Sequence, residues 1–126
     1  MTLAMMPFML AFLLLVAGLY AIVAKRNLIK VIVGILVLDI GANLMLVLMG
    51  YRTPPAGEAP VAPILTGGVA KADELARAAV DPVPQALILT SIVIGLSVTA
   101  LVVALGVRLY EKYGTFDTNL MRNLKG

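Results

Sequence analysis

Between Leu3 and Ala24 the chain carries no charged side chain, with Thr2 before the run and Lys25 after it. At 1.5 Å per residue these about 22 residues make ~33 Å of helix, enough to cross the hydrocarbon of a bilayer. A cleaved signal peptide is the competing reading. The run lacks a basic leading segment and exceeds the length of a signal core, so a retained span over residues 3–24 is expected. Lys25, Arg26 and Asn27 form a tight polar connection. From Leu28 to Gly50 the only charged residues are Lys30, near one end, and Asp39, near the middle. A second span over residues 28–50 follows from the same length rule.

Residues 51–82 break the pattern. Pro54, Pro55, Pro60, Pro63, Gly57, Gly67 and Gly68 punctuate them and charges return, which predicts an extramembrane loop. Within it, residues 69–80 are rich in Ala and carry Lys71, Asp73, Glu74 and Arg77, a composition that suits a short helix at the membrane surface. Pro82 and Pro84 fit the first turn of a helix, with Asp81 as its cap. The chargeless run from Gln85 to Val107 then predicts a third span over residues 84–107, ended by Arg108. In the short tail of residues 108–126, Tyr110 and Tyr113 beside Lys112 suit an interfacial anchor. The expected architecture is an all-α membrane protein of three transmembrane helices in a single membrane domain, residues 1–126.

Basic residues orient the spans. Lys25, Arg26 and Lys30 lie in or beside the first connection and Arg108, Lys112, Arg122 and Lys125 in the tail, while the long loop offsets Arg52, Lys71 and Arg77 with Glu58, Asp73, Glu74 and Asp81. The positive-inside rule then puts the first connection and the C-terminus in the cytoplasm, and the N-terminus and long loop outside.

Composition narrows the chemistry. Of the 126 residues 61% are hydrophobic and 13% charged, against roughly a quarter charged in a soluble domain, and a chain this short has too little interior to hide the excess. There is no Cys, His or Trp. That excludes thiolate or imidazole metal sites, a disulfide framework and a His-based triad, so no cofactor and no stand-alone catalysis are expected. The net charge of +3 sits at the ends of apolar runs and serves topology, so nucleic acid is not an expected partner.

Asp39 is the one ionisable side chain deep within a span. A central Asp costs about 2.5 to 3.5 kcal/mol on insertion scales, so it should face protein or a water-filled path and is a candidate relay for protons or cations. The plainer alternative is a hydrogen bond that glues helices together. Asn43, four residues on, shares its helical face and is the second candidate for ion translocation. Two such side chains cannot complete the oxygen shell of a hard cation, so other subunits would have to supply the rest. On the third span Ser91, Gly95 and Thr99 fall at four-residue spacing as a small-residue stripe for helix packing or path lining, with Thr90 and Ser97 as a second polar edge. Ala17, Ala21 and Ala24 suggest a similar seam on the first span.

Two stretches carry a family resemblance: Arg26-Asn27-Leu28-Ile29 leading through Gly34 to Asn43-Leu44, and Asp81-Pro82-Val83-Pro84-Gln85-Ala86-Leu87-Ile88-Leu89-Thr90-Ser91-Ile92-Val93-Ile94-Gly95. With the three-span layout, the chain resembles the MrpC family of multisubunit sodium/proton antiporters over nearly its whole length. That family is similar to the K-type protein of respiratory complex I, and homologues occur in the membrane arms of energy-converting hydrogenases and archaeal sulfane reductases. The K-type protein has two intramembrane glutamates, and aligning the shared residues puts them at Leu36 and near Gly95, so neither carboxylate is present here. Asp39, one turn from Leu36, offers a carboxylate to nearly the same face.

The resemblance implies a small subunit in the plasma membrane of a bacterium or archaeon. Its implied partners are other membrane subunits, large antiporter-like ones among them, with sodium ions and protons as the transported ions. The alternatives are a membrane-arm subunit of a redox-driven pump holding no redox centre, and a scaffold in which Asp39 and Asn43 only join helices. A small independent exporter would call for four helices and a charge in the first span.

Overall fold

The computed structural model describes residues 2–52, 59–65 and 71–122. Four α-helices follow one another: α1, Thr2–Ala24; α2, Leu28–Met49; α3, Ala72–Ala78; and α4, Pro82–Tyr113, with a 3-10 turn at Thr118–Leu120 near the end. Three of them, α1 from Met5 onward, α2 and α4, are long and apolar enough to cross a membrane, with mean hydropathies of 2.4, 2.5 and 2.5. The short surface helix expected within residues 69–80 is α3. The loop at 53–58 and 66–70, and Lys125 in the tail, lie outside the described residues.

Helices α2 and α4 start on side-chain caps. Asn27 caps α2, its side-chain oxygen accepting from the amides of Ile29 at 2.9 Å and Lys30 at 3.4 Å. Asp81 caps α4 by accepting from the Val83 amide at 3.0 Å. The prolines at 82 and 84 have no N–H to satisfy, so they remove two of the four donors that a helix start would leave unpaired. The far end of α4 corrects the expected stop at Val107. Arg108, Glu111 and Lys112 end the apolar run but favour helix, which continues to Tyr113. Gly114 ends it instead, adopting a left-handed φ of 68° while its N–H donates to the Tyr110 carbonyl at 2.7 Å.

Helix α2 is the middle of the bundle: α1 packs along one side of it and α4 along another. The α1 seam is set by glycines. A Cβ on Gly18 would stand 2.7 Å from the Leu38 backbone N, one on Gly34 would stand 2.8 Å from the Ala21 Cβ, and one on Gly41 would stand 3.0 Å from the Leu15 N. Backbones this close are how helices associate in lipid, where apolar burial alone provides little drive. The expected Ala17–Ala21–Ala24 seam is therefore corrected. Ala11, Gly18 and Ala21 turn toward α2, whereas Ala17 and Ala24 are exposed. The spacing of the alanines predicts a helix face, and the structure uses a face one residue round.

Hydrogen bonds between backbone segments tie α2 to α4 at both ends. The Asp81 N–H donates to the Gly50 carbonyl at 3.1 Å, and Gly50 is buried against the Pro84 ring. At the other end the tail folds back: the Leu28 N–H donates to the Phe116 carbonyl at 2.8 Å, and the Thr118 N–H and hydroxyl both donate to the Arg26 carbonyl at 2.8 Å. The Phe116 ring stacks on Tyr110 with centroids 4.3 Å apart. Among the described residues Ala11 and Met121 are the buried apolar side chains. The large side chains of the three long helices thus face outward, toward lipid or other subunits.

Replacing Gly18 by Val forces a side chain into the Leu38 backbone and should destabilise the protein by about 1 to 3 kcal/mol. Ala17→Val, on the exposed face, should change it by less than about 0.5 kcal/mol. Thermal unfolding of the two variants in detergent, followed by circular dichroism, checks both.

Candidate functional site

Asp39 sits about 16 Å along the ~33 Å of α2, near its midpoint, and its carboxylate turns toward α4. Directly opposite is Gly95. A Cβ there would lie 2.9 Å from Asp39 Oδ2 and 3.7 Å from Oδ1. The absence of a side chain at 95 is therefore what makes room for the carboxylate. The Asn43 amide, one turn further along α2, donates to the same Oδ2 at 3.4 Å, a long and weak hydrogen bond.

Around this pair the α2–α4 groove opens into a recess of about 150 Å³. Ile35, Leu36 and Asp39 of α2 and Ser91, Ile94, Gly95, Val98 and Thr99 of α4 line it. Ser91, Gly95 and Thr99 are half-buried along the side of α4 that faces α2, as their four-residue spacing requires. Asp39 is also half-buried, so the recess is open at its flank. A carboxylate offers about four acceptor positions and Asn43 occupies one of them. The recess is thus a mainly apolar chamber that holds one carboxylate and two hydroxyl-bearing residues, groups able to pass a proton or to supply part of a cation's oxygen shell.

The other sequence candidates separate. Thr90 is exposed, and its hydroxyl donates to the Ala86 carbonyl of its own helix at 3.3 Å; Ser97 does the same to Val93 at 3.0 Å. Neither faces the recess. Asn43 reaches Asp39 without lining the chamber. Leu36, considered only as an aligned position, borders the chamber together with Gly95. Ile35, Ile94 and Val98 supply its apolar walls, and no residue-level signal separates these from the other aliphatic positions of the spans. Among the described residues no group of three or more His, Cys, Asp or Glu gathers as a metal site.

Residues 6–126 match the family of NADH-ubiquinone/plastoquinone oxidoreductase chain 4L. The chain belongs to this family, and it is an all-α membrane protein with three membrane-spanning helices. Within it, the chain is 38% identical over 113 residues to the C-type component of the Na(+)/H(+) antiporter of Bacillus subtilis (strain 168), covering 90% of this chain and 88% of that one. It is 35% identical over 106 residues to the C1-type component of the Na(+)/H(+) antiporter of Staphylococcus aureus, covering 82% and 80%. Among solved structures it resembles a chain of the membrane-bound sulfane sulfur reductase, an archaeal respiratory membrane complex, with a TM-score of 0.77 and 39% identity over 96% of this chain and 98% of that one.

Gly95→Ala places a methyl group against the carboxylate. The carboxylate end of Asp39 must then shift within the recess, and stability should drop by about 0.5 to 1.5 kcal/mol. Thr90→Ala, which removes a hydroxyl from the outward face, should stay within about 0.5 kcal/mol of the parent protein. Parallel thermal melts of the two variants test which polar edge of α4 carries the packing.

Proposed function

We infer that this chain is a small membrane component of a multisubunit, antiporter-like assembly, and that its Asp39 recess forms part of the ion path through that assembly. The observation that carries this reading is the carboxylate held opposite a glycine at mid-helix. A central acid costs about 2.5 to 3.5 kcal/mol to place in a bilayer, and residues of this kind normally mark ion paths. The reading of Asp39 as glue between α2 and α4 has less support, because among the described residues the hydrogen bond to its carboxylate comes from Asn43 of its own helix. Asp39 takes up the proton or cationic charge, Asn43 fixes its rotamer, and Ser91 and Thr99 supply hydroxyls for a hydrated chain. Sodium ions or protons are the transported species. Large antiporter-like subunits are the partners that close the open flank.

With the assembly intact, Asp39→Asn should lower sodium-dependent proton movement in membrane vesicles roughly tenfold or more, since an amide can take up neither a proton nor a cation's charge. Unchanged transport by an assembled Asp39→Asn variant would remove the recess from the path. The double variant Leu36→Glu with Asp39→Leu, which returns a carboxylate to the same chamber from one turn away, should recover part of the lost transport.

A second reading has its own support. The family is named for an oxidoreductase chain and one solved relative belongs to a sulfane sulfur reductase, so the same recess would serve the membrane arm of a redox-driven pump. Co-purification from native membranes separates the two: iron–sulfur partners mark the redox-driven assembly, and antiporter-like partners alone mark the free-standing one.

The proposed orientation puts the C-terminus in the cytoplasm and the N-terminus and α3 outside. Because the chain has no cysteine, single cysteines report cleanly. Glu74→Cys should react with a membrane-impermeant maleimide in intact cells, and Asn119→Cys only after permeabilisation.

A further inference from the structure

A second polar site lies at the end of the bundle away from α3, where α1 hands over to α2. Ala24, Lys25, Arg26, Asn27, Lys30 and Asp117 border an open surface cleft of about 350 Å³. Three cations and one acid line it. The acid is partly engaged, because Asp117 Oδ1 accepts the Asn119 N–H at 3.0 Å.

Basic residues at the end of a span ordinarily serve topology alone. One feature sets these apart from Arg108 and Lys112 at the same end. The folded-back tail builds a wall, with Thr118 bonded to the Arg26 carbonyl and Phe116 to the Leu28 amide, so the connection bearing the cations is fixed in place. Lys25 stands with its Nζ 5.4 Å above the Tyr20 ring, a contact that Lys112 also makes to Tyr113 at 5.6 Å. The cleft lies where the apolar runs of α1 and α2 end, which is the depth of lipid headgroups. Val23 and Ile29, exposed on either side of the connection, offer apolar surface beside it.

We propose that this cleft binds the phosphate of an anionic phospholipid headgroup, with Lys25, Arg26 and Lys30 as its ligands and the acyl chains lying along α1 and α2. Arg26 has the planar donor fork suited to a phosphate, and the two lysines add charge. Lipid is favoured over free phosphate because the cleft opens at headgroup depth beside apolar surface. The site is separate from the Asp39 recess and does not depend on the function inferred for it.

The test is native mass spectrometry of the full chain in detergent, titrated with phosphatidylglycerol, phosphatidylcholine or inorganic phosphate. Phosphatidylglycerol should be retained well above phosphatidylcholine. Neutralising Lys25, Arg26 or Lys30 to Gln one at a time should weaken its binding about fivefold each, the usual contribution of a basic side chain at an anionic surface. Arg108→Gln and Lys112→Gln, outside the cleft, should leave it unchanged. Equal retention of the two lipids by the unaltered chain overturns the proposal without reference to any variant. So does a loss in the Arg108 and Lys112 variants equal to that in the cleft variants, which would mean unspecific charge. Displacement of the lipid by equimolar inorganic phosphate would assign the cleft to the free anion and overturn the lipid assignment.

Discussion

Helix α2 is packed against α1 on one face and α4 on another, and the site depends on which residues it turns to each. Gly34, Leu38 and Gly41 meet α1 at backbone distance. Asp39 lies about 140° round the helix from the centre of that seam, at 100° per residue, and so points at α4. The close α1 contact leaves α2 little freedom to rotate, because the glycines admit α1 on that face alone. The face of α2 on which Asp39 lies is therefore decided by residues that never touch it.

The two seams differ in kind. Against α1 the fit is backbone to backbone and leaves no space for polar chemistry. Against α4 it is looser at mid-membrane, where a glycine faces an acid, and tight at the ends, where Asp81 bonds to Gly50 and the tail bonds to Arg26 and Leu28. A groove pinned at both ends and open in the middle can keep a carboxylate inside an apolar belt. Its open flank and the few buried side chains leave α2 and α4 with surface that fits a small subunit of a larger assembly.

Leu36 and Gly95 border one small chamber. Here a single carboxylate enters that chamber from one turn further along α2. Gly95 would crowd Asp39 if it carried any side chain, so a glycine at 95 and an acid at 39 are a sterically linked pair.

The three spans, the cap at Asp81 and the exceptional position of Asp39 were legible in the sequence, because apolar run length, proline placement and an isolated charge in lipid are one-dimensional signals with large energies behind them. The Ser91–Gly95–Thr99 stripe was legible as a face, since four-residue spacing maps directly onto a helix surface. Which partner that face meets was not, and neither was the true α1 seam, where alanine spacing pointed to Ala17 and the structure chose Gly18. Helix rotation depends on how closely two backbones can approach, and that is settled between helices by atoms far apart in the chain. The same holds for the tail: its residues read as a polar end, and only the tertiary fold brings Asp117 beside Lys25, Arg26 and Lys30. The sequence by itself determined what crosses the bilayer and which charge is buried in it. The tertiary structure decided what that charge faces, because packing in lipid is won by shape and not by hydrophobicity.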